Sequence, residues 1–446
     1  MLPDPYPVQP WTAPCRGTVR LPGSKSLTNR ALLVSALTSG RVRLTGALFS
    51  RDSRILVAGL QALGFRVLAD EASESIQVEG EGGRIPQSRA RLFVGNAGTA
   101  ARFLTALVCL HPGGEFDFDG DEEMRRRPMG GLLEALESLG ARFSFHDRPG
   151  RFPFTVRTAG LPPGHWQVDA GASSQMLSAL MMVAPMTGGN VRLSAPGVRP
   201  AFVGMTAGLM RQFQAGIEGT PAKGYLVDGR QVYRVPDGGI FAVEPDASAA
   251  SYFMALPLVV GGGVRLEGLS RDMLQGDIAF ARILESLGLV VEEDPGGWTC
   301  RLGTIPPSDG MQFDFETFSD TFLTLAAIAP LLPFPVSISG IAHTRHQETD
   351  RIAAMATELI RLGVQVKEEP GSLTVHPLAR DKRWDDPAII RTYHDHRVAM
   401  SFAITGCSNR FGPQPWLGIA DPACCGKTFP AFFSRLGELY RNSHDK

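Results

Sequence analysis

Apolar and polar positions along the chain fall into blocks, and the blocks recur. A polar or small-residue turn leads into a helix-length run rich in Ala and Leu. A short strand follows, then a second helical stretch often ending in Leu-Gly, then a closing strand. SLTNRALLVSAL, VRLTGAL and LVAGLQALGFRV make the first copy; NAGTAARFLTAL, FDFDGD and LLEALESLGARF make the second. The order returns in ASSQMLSALMMVAP, VRLSAPG and LMRQFQAGI, and again in DASAASYFMALPLVV, VRLEGLS and ARILESLGLVV. SDTFLTLAAIAPLL, VSISGIA and ATELIRLGVQV form the fifth copy, and HDHRVAMSFAI, PWLGIAD and FFSRLGEL the last. The six copies recur at roughly 65- to 75-residue spacing.

Short strands alternating with helices predict an α/β or α+β fold. The first helix of each copy is apolar on nearly every face, which predicts burial inside a domain. A solenoid is the rival architecture for a repeated unit. Against it, these units are long and their turns differ sharply in chemistry: KSLTN, NAGTA, ASSQ, DASA, SDT and HDHR. Hydroxyls, amides, a Lys and acids all fall just before buried helices. Helix starts that converge would favour an anion, each by about 0.3–1 kcal/mol at exposed sites. The pattern points to a small, highly charged ligand.

Composition narrows this without redirecting it. With 446 residues, 43% hydrophobic and 20% charged, the chain is expected to form two or three soluble globular domains. A net charge of -1 gives no global attraction for nucleic acid. Six cysteines (15, 109, 300, 407, 424, 425) form no CxxC pair, which fits a reducing cytosol. MLPDPYPVQP has neither a basic start nor an apolar run, so no signal peptide is expected, and LTLAAIAPLLPFPV is too short for a membrane span. Only six lysines occur, and two of them, Lys25 and Lys427, lie in the Gly-flanked segments GSKS and CCGKTFP, as compact point charges at a site would.

Gly23-Ser24-Lys25-Ser26 is not a P-loop, which requires Gly before the Lys, but a helix start behind it still suits phosphate. Arg125-Arg126-Arg127 reads alone as a solvated charge run, and Glu348-Thr349-Asp350-Arg351 as a cap with Thr or Asp leading into a helix at Ile352. His343, His346, His394 and His396 with Asp395 mimic zinc spacings, but no cysteine joins them and no metal is expected.

LPGSKSxxNRALL, GNAGTAxR, RRPMG, SSQ, EPDASAASYF, ETDR, DHRxAM and KTFP occur in the order of the enolpyruvyl transferases, and from about Gly17 to Leu439 the chain resembles that family. On its shikimate branch the resemblance implies a two-domain inside-out α/β barrel of six βαβαββ-type units, three per domain. The domains implied are 1–22 with 245–446, and 23–244, with crossings near 21–23 and 243–246 that act as hinges for closure. The implied reaction transfers the enolpyruvyl group of phosphoenolpyruvate to the 5-hydroxyl of shikimate 3-phosphate. It releases phosphate through a tetrahedral intermediate and uses no metal and no organic cofactor. A cytoplasmic monomer with two small-molecule substrates is expected.

Residue by residue, the resemblance implies catalytic roles for Lys25, Asp320, Glu348 and Lys427. Asp320 would be the base toward the reacting hydroxyl, and Glu348 the proton donor and acceptor at the methylene. Shikimate 3-phosphate would be held by Lys25, Ser26, Arg30, Ser173, Ser174, Gln175, Asp320, His343 and Gln347. Phosphoenolpyruvate would be held by Lys25, Asn96, Gly98, Arg127, Gln175, Arg351, His396, Arg397 and Lys427. Arg125 and Arg126 would stay structural.

The chain departs from the pattern in several places. His343 and Gln347 stand where many members carry Asn and Lys, and Val198 and Ala201 stand near a usual Ser and aromatic residue. Compensation by Arg199, His343 or His346 is expected. Phe103 replaces a frequent Pro on the helix that sets the room beside Gly98 for the inhibitor glyphosate. Alternatives are a paralogue acting on another phosphorylated cyclitol, a UDP-amino-sugar enolpyruvyl transferase, and a non-catalytic binder. The second is weakened by the absence of cysteine from DGDEEMRRRPMG, the third by the joint presence of Lys25, Asp320, Glu348 and Lys427.

Overall fold

Each repeat folds as a small mixed sheet with two helices. The computed structural model describes residues 2–220, 222–379 and 384–445, except for the side chain of Ala201. Five four-stranded sheets and one three-stranded sheet are formed by the described residues. In each, one pair of strands runs parallel and the rest pair antiparallel; in four of the six the parallel pair is joined through a buried helix. Arg89–Phe93, for example, lies parallel to Glu115–Asp119, which pairs antiparallel with Phe154–Arg157 and, beyond it, Arg142–Phe145. Phe116 and Phe118 point inward from the middle strand while Asp117 points out, the period-two pattern of a sheet with one wet face.

Contacts divide the chain into two units: Gly23–Glu244, and Met1–Pro22 with Pro245–Lys446. Inside the first, the helices Lys25–Leu37, Gly98–Val108 and Ser174–Val183 each touch the other two. Every residue of Gly98–Val108 is buried, as is every residue from Leu27 to Leu37. Inside the second, Ala247–Val260, Phe322–Ile328 and His396–Gly406 also touch one another, and the last two are buried throughout. The six all-round apolar stretches are therefore the inner helices of two cores. Three-way packing rules out a solenoid, in which each repeat meets only its sequence neighbours. The second helix of each repeat is amphipathic. Arg351–Arg361 buries Ile352, Met355 and Leu359 and leaves Ile360 exposed.

The strands that lead each half are exchanged. Cys15–Val19 pairs in parallel with Gly262–Glu267, and Ile240–Ala242 with Ser39–Thr45. Helix Phe432–His444 packs on Cys15–Val19, and the Arg16 amide donates to the Ser443 hydroxyl at 2.9 Å. In the first unit the Ser24 amide donates to the Glu244 carbonyl at 2.9 Å, and in the second the Asp246 amide donates to the Pro22 carbonyl at 2.8 Å. Gly23 is fixed by space: a Cβ there would lie 1.8 Å from the Gly46 carbonyl oxygen. Backbone cannot swing aside as a side-chain tip can. Gly23→Ala is thus expected to cost about 3 kcal/mol, the upper part of the overpacking range, seen as a lower urea midpoint. No helix among the described residues is long and apolar enough to cross a membrane.

Candidate functional site

In the unit Gly23–Glu244 the polar turns sit at the starts of the three inner helices. Ser24 caps Lys25–Leu37 by accepting from the Leu27 amide at 3.4 Å, and Ser173 caps Ser174–Val183 by accepting from the Gln175 amide at 3.3 Å. Gly98–Val108 starts at Ala97, which offers no side-chain cap, so its first N–H groups are left to other acceptors. Lys25 lies at the first of these starts with its Nζ 3.5 Å from Asp52, and Ser26 and Ser174 are half-buried beside their caps.

Two arginines behind these turns are buried. Arg30 donates from Nε to the Thr206 hydroxyl at 2.7 Å and from Nη1 to the Ser26 carbonyl at 3.0 Å. From Nη2 it donates to the Ser178 hydroxyl and the Phe202 carbonyl, both at 3.4 Å. Its guanidinium lies 5.5 Å from the Phe103 ring centre, so the atypical Phe103 contributes a cation–π support. Burial pulls the Arg30 pKa down to about 10, leaving it charged at neutral pH. Arg30, expected to hold shikimate 3-phosphate, is engaged here by internal acceptors and carries the Ser26 turn.

Arg102 was given no role by the sequence, yet it joins two of the expected site segments. Its Nη1 donates to the Gly98 carbonyl and to Gln175 Oε1, both at 3.0 Å, and its Nη2 donates to the Pro128 carbonyl at 3.0 Å. Burial, and then Arg127, pull its pKa down to about 9. Arg127 donates to the Asn96 carbonyl and side-chain oxygen, both at 3.3 Å. Arg125 makes a two-pronged pair with Asp119 at 2.9 and 2.7 Å, and Arg126 pairs with Glu122. Of the three arginines, the last is turned to Asn96 beside Gly98 and the first two are paired with acids.

In the other unit Arg351 is the hub. It follows Asp350, which caps helix Arg351–Arg361 by accepting from the Ala353 amide at 3.0 Å, so the helix begins one residue before Ile352. Its Nε and Nη2 fork onto Asp395 at 2.7 and 3.4 Å. Nη1 reaches Asp320 at 2.9 Å and also Gln347, and Nη2 reaches Glu348 at 3.1 Å. All five of its N–H groups are thereby engaged. Desolvation opposes its charge, but Asp395, Glu348 and Asp320 outweigh that and raise its pKa. Arg397 binds the other oxygen of Asp320 at 2.7 Å, and Lys427 binds the other oxygen of Glu348 at 2.8 Å. Asp395 caps helix His396–Gly406 by accepting from the Arg397 amide at 2.9 Å, which aims Arg397 at Asp320.

Asp320, Glu348, Arg351, Arg397 and Lys427 are therefore one network, and Asp395, the first residue of the DHRxAM motif, completes it. Gln347 is turned onto Arg351, and His343 lies 2.7 Å from the Ser319 hydroxyl. His396 is buried with its Nδ1 3.7 Å from Asp395, whereas His346 is exposed. His394 pairs with Asp421 at 2.7 Å. Val198 is buried and Arg199 half-buried at the start of Pro200–Gln212, while the Ala201 side chain lies outside the described residues. Among the described residues no group of three or more His, Cys, Asp or Glu is arranged to hold a metal ion.

A carboxylate held between two guanidiniums and a second held between a guanidinium and an ammonium suit proton transfer beside anionic ligands. Comparison with known proteins gives the same direction. The family model for EPSP synthase (3-phosphoshikimate 1-carboxyvinyltransferase) matches residues 11–436. The chain is 48% identical to a 3-phosphoshikimate 1-carboxyvinyltransferase of Opitutus terrae over 99% of both chains, and 42% identical to one of Nostoc punctiforme over 96% and 97%. An EPSP synthase structure from Acinetobacter baumannii superposes with a TM-score of 0.79 at 22% identity, covering 97% of each chain. The enolpyruvyl transferase NikO of Streptomyces tendae superposes with a TM-score of 0.73 at 16% identity, over 97% and 96% of the two chains, a likeness of fold alone.

Proposed function

The chain belongs to the EPSP synthase family, and we infer that it carries out that family's reaction. It transfers the enolpyruvyl group of phosphoenolpyruvate to the 5-hydroxyl of shikimate 3-phosphate, releasing phosphate, as a step of the shikimate pathway. Full-length identity to relatives bearing that activity in their names favours shikimate 3-phosphate over another cyclitol. The enzyme is taken to act as a cytoplasmic monomer, in keeping with six free cysteines.

The observation that carries the mechanism is the shared hold of Arg351 on Asp320 and Glu348, with Lys427 on the far side of Glu348. In the free protein these cations are the ion-pair partners of Glu348. The carboxylate and phosphate of phosphoenolpyruvate compete for the N–H groups by which Arg351 Nη2 and Lys427 hold Glu348, while Arg351 Nη1 and Arg397 Nη2 stay on Asp320. As those groups turn to the substrate, Glu348 loses partners, takes up a proton from solvent and delivers it to the methylene carbon. Asp320 takes the proton of the attacking hydroxyl and a tetrahedral intermediate forms. Phosphate then leaves, and Glu348, now a carboxylate again, removes a methyl proton.

Lys25, Ser26, Ser173, Ser174 and Gln175 hold shikimate 3-phosphate, whose phosphate takes the place of the Ser173 cap. Arg30 assists through Ser26 and Thr206. Asn96, Gly98 and Arg127 hold phosphoenolpyruvate, with His396 beside Arg397. Phosphate release assayed with both substrates and with each alone tests the assignment: release must require both, and silence with both present would sink it.

Gly98 has a definite cost of substitution. A Cβ would stand 2.6 Å from Arg127 Nη2 and 2.7 Å from Arg102 Nη1. Both are side-chain tips that can move, so Gly98→Ala should fold normally yet displace Arg127. The expected result is a KM for phosphoenolpyruvate about tenfold higher, corresponding to about 1.4 kcal/mol, with the KM for shikimate 3-phosphate unchanged.

A further inference from the structure

Asp277 is a buried carboxylic acid that the mechanism above does not use. It sits in the turn Gly276–Ala279 at 9% exposure, packed against the start of helix Ala247–Val260 and against the turn Ser319–Thr321. The Ser248 hydroxyl donates to its Oδ2. Among the described residues no cation makes a hydrogen bond or an ion pair with it. The charged groups acting on it are Asp246 at the cap of Ala247–Val260, Asp320 on the Ser319–Thr321 turn, and Arg397 on His396–Gly406. Burial first, then Asp320, push its carboxyl up to about 7, against the pull of Arg397 and Ser248. Arg397 in turn is held in its charged form by Asp320, Tyr252, Asp277 and Asp246, against the cost of burial.

This arrangement addresses a difficulty in the site. Asp320 accepts from two guanidiniums at 2.9 and 2.7 Å, and two cations at that range make a carboxylate a poor base. A group that must take a hydroxyl proton needs its basicity restored. We propose that Asp277 is a positioning residue for the reaction: its carboxylate, buried on a turn that packs against the Asp320 turn, sets the proton affinity of Asp320. Ionised Asp277 repels the charge on Asp320 and draws on Arg397, so Asp320 becomes the stronger base. Protonated Asp277 leaves Asp320 weakened. Turnover therefore depends on the charge of Asp277 as well as on that of Asp320.

The proposal rests on Asp320 being the base, and the test separates the two. Asp277→Asn keeps the shape and removes the charge. With both substrates saturating at pH 8, kcat is expected to fall about three- to tenfold, with each KM within about twofold of the parent. The acid limb of the kcat profile should move to lower pH, because a neutral neighbour no longer holds the Asp320 proton. Asp277→Glu should restore part of both, and thermal melts confirm folding. Titration of ¹³C-labelled aspartates by NMR reads Asp320 without turnover: its midpoint falls in Asp277→Asn. Should Asp277→Asn fail to fold, Ser248→Ala serves instead, since loss of the hydroxyl raises the Asp277 titration and moves the acid limb of kcat upward.

An unshifted Asp320 midpoint, or a loss of kcat without any change of profile, would overturn the proposal. Parent-like turnover in Asp320→Asn would instead remove the base assignment on which it stands.

Discussion

Glu348→Gln is expected to lower kcat by about 10²–10⁴-fold with little change in either KM, the usual share of a positioned acid–base group. The side chain keeps its size and one oxygen acceptor. What it loses is the proton that must reach the methylene carbon and later be taken back from the methyl group. Its NH₂ would also have to face either Lys427 or Arg351, both of which now see an oxygen, at 2.8 and 3.1 Å. Steady-state kinetics measures the first effect. Solvent deuterium incorporation at the methylene carbon measures the second step directly and should vanish with it. A fall of less than tenfold, or exchange that persists, removes Glu348 from proton transfer and leaves Asp320 or a bound water as the alternative.

Arg351→Met should be the most damaging single change to the fold among the site residues, costing about 3–5 kcal/mol and abolishing turnover. The guanidinium is 2% exposed and balances Asp320, Glu348 and Asp395, the last fully buried. Methionine fills the space but leaves three carboxylates facing one another with only Arg397 and Lys427 nearby. Arg351→Lys distinguishes charge from geometry. It restores one positive charge but, as a single ammonium on a flexible stem, cannot span the separate acceptors of the fork. Lysine should therefore recover a substantial part of the urea midpoint while kcat remains far below the parent. Equal stability of the methionine variant and the parent would show that the network gives no net stabilisation.

The fold was readable because its signal is redundant. Six stretches apolar on every face became the six inner helices, and the chemically distinct turns before them lie at the helix starts. The Arg351 helix shows the limit of local pattern. ETDR could place a cap at Thr349 or Asp350, and only the backbone shows that Asp350 accepts from Ala353. Motif positions put Asp320, Glu348, Arg351, Arg397 and Lys427 on one list of candidates, and the structure places these five in one network of ion pairs.

The site was not readable where the role depends on which neighbour a side chain meets. Arg30 and Arg102 look alike in sequence to exposed anion-binding arginines, yet both are buried against backbone carbonyls and hydroxyls from distant segments. Asp395 and Asp277 are single acids in turns. Their partners Arg351 and Ser248 lie 44 and 29 residues away, a distance that no periodicity encodes. Beyond the DHRxAM motif, an Asp immediately before an apolar run was the available signal for Asp395, since it marks a helix cap.

The exchanged strands carry a consequence for how the chain is made. Residues 23–244 hold every strand of their own three sheets, so that unit has all its parts once Ala242 and the following residues have left the ribosome. Cys15–Val19 emerges before any of it, yet its hydrogen-bonding partner Gly262–Glu267 follows only after that unit is complete, and its covering helix Phe432–His444 is made near the very end. During most of translation this apolar-edged segment has no native partner, while the domain beside it in sequence is completing. Loop closure over that span adds only slowly with length, so the delay is one of order in time rather than of equilibrium stability. Tyr6–Pro7, translated earlier still, pairs with Leu417–Ile419 and must wait longer again for its partner.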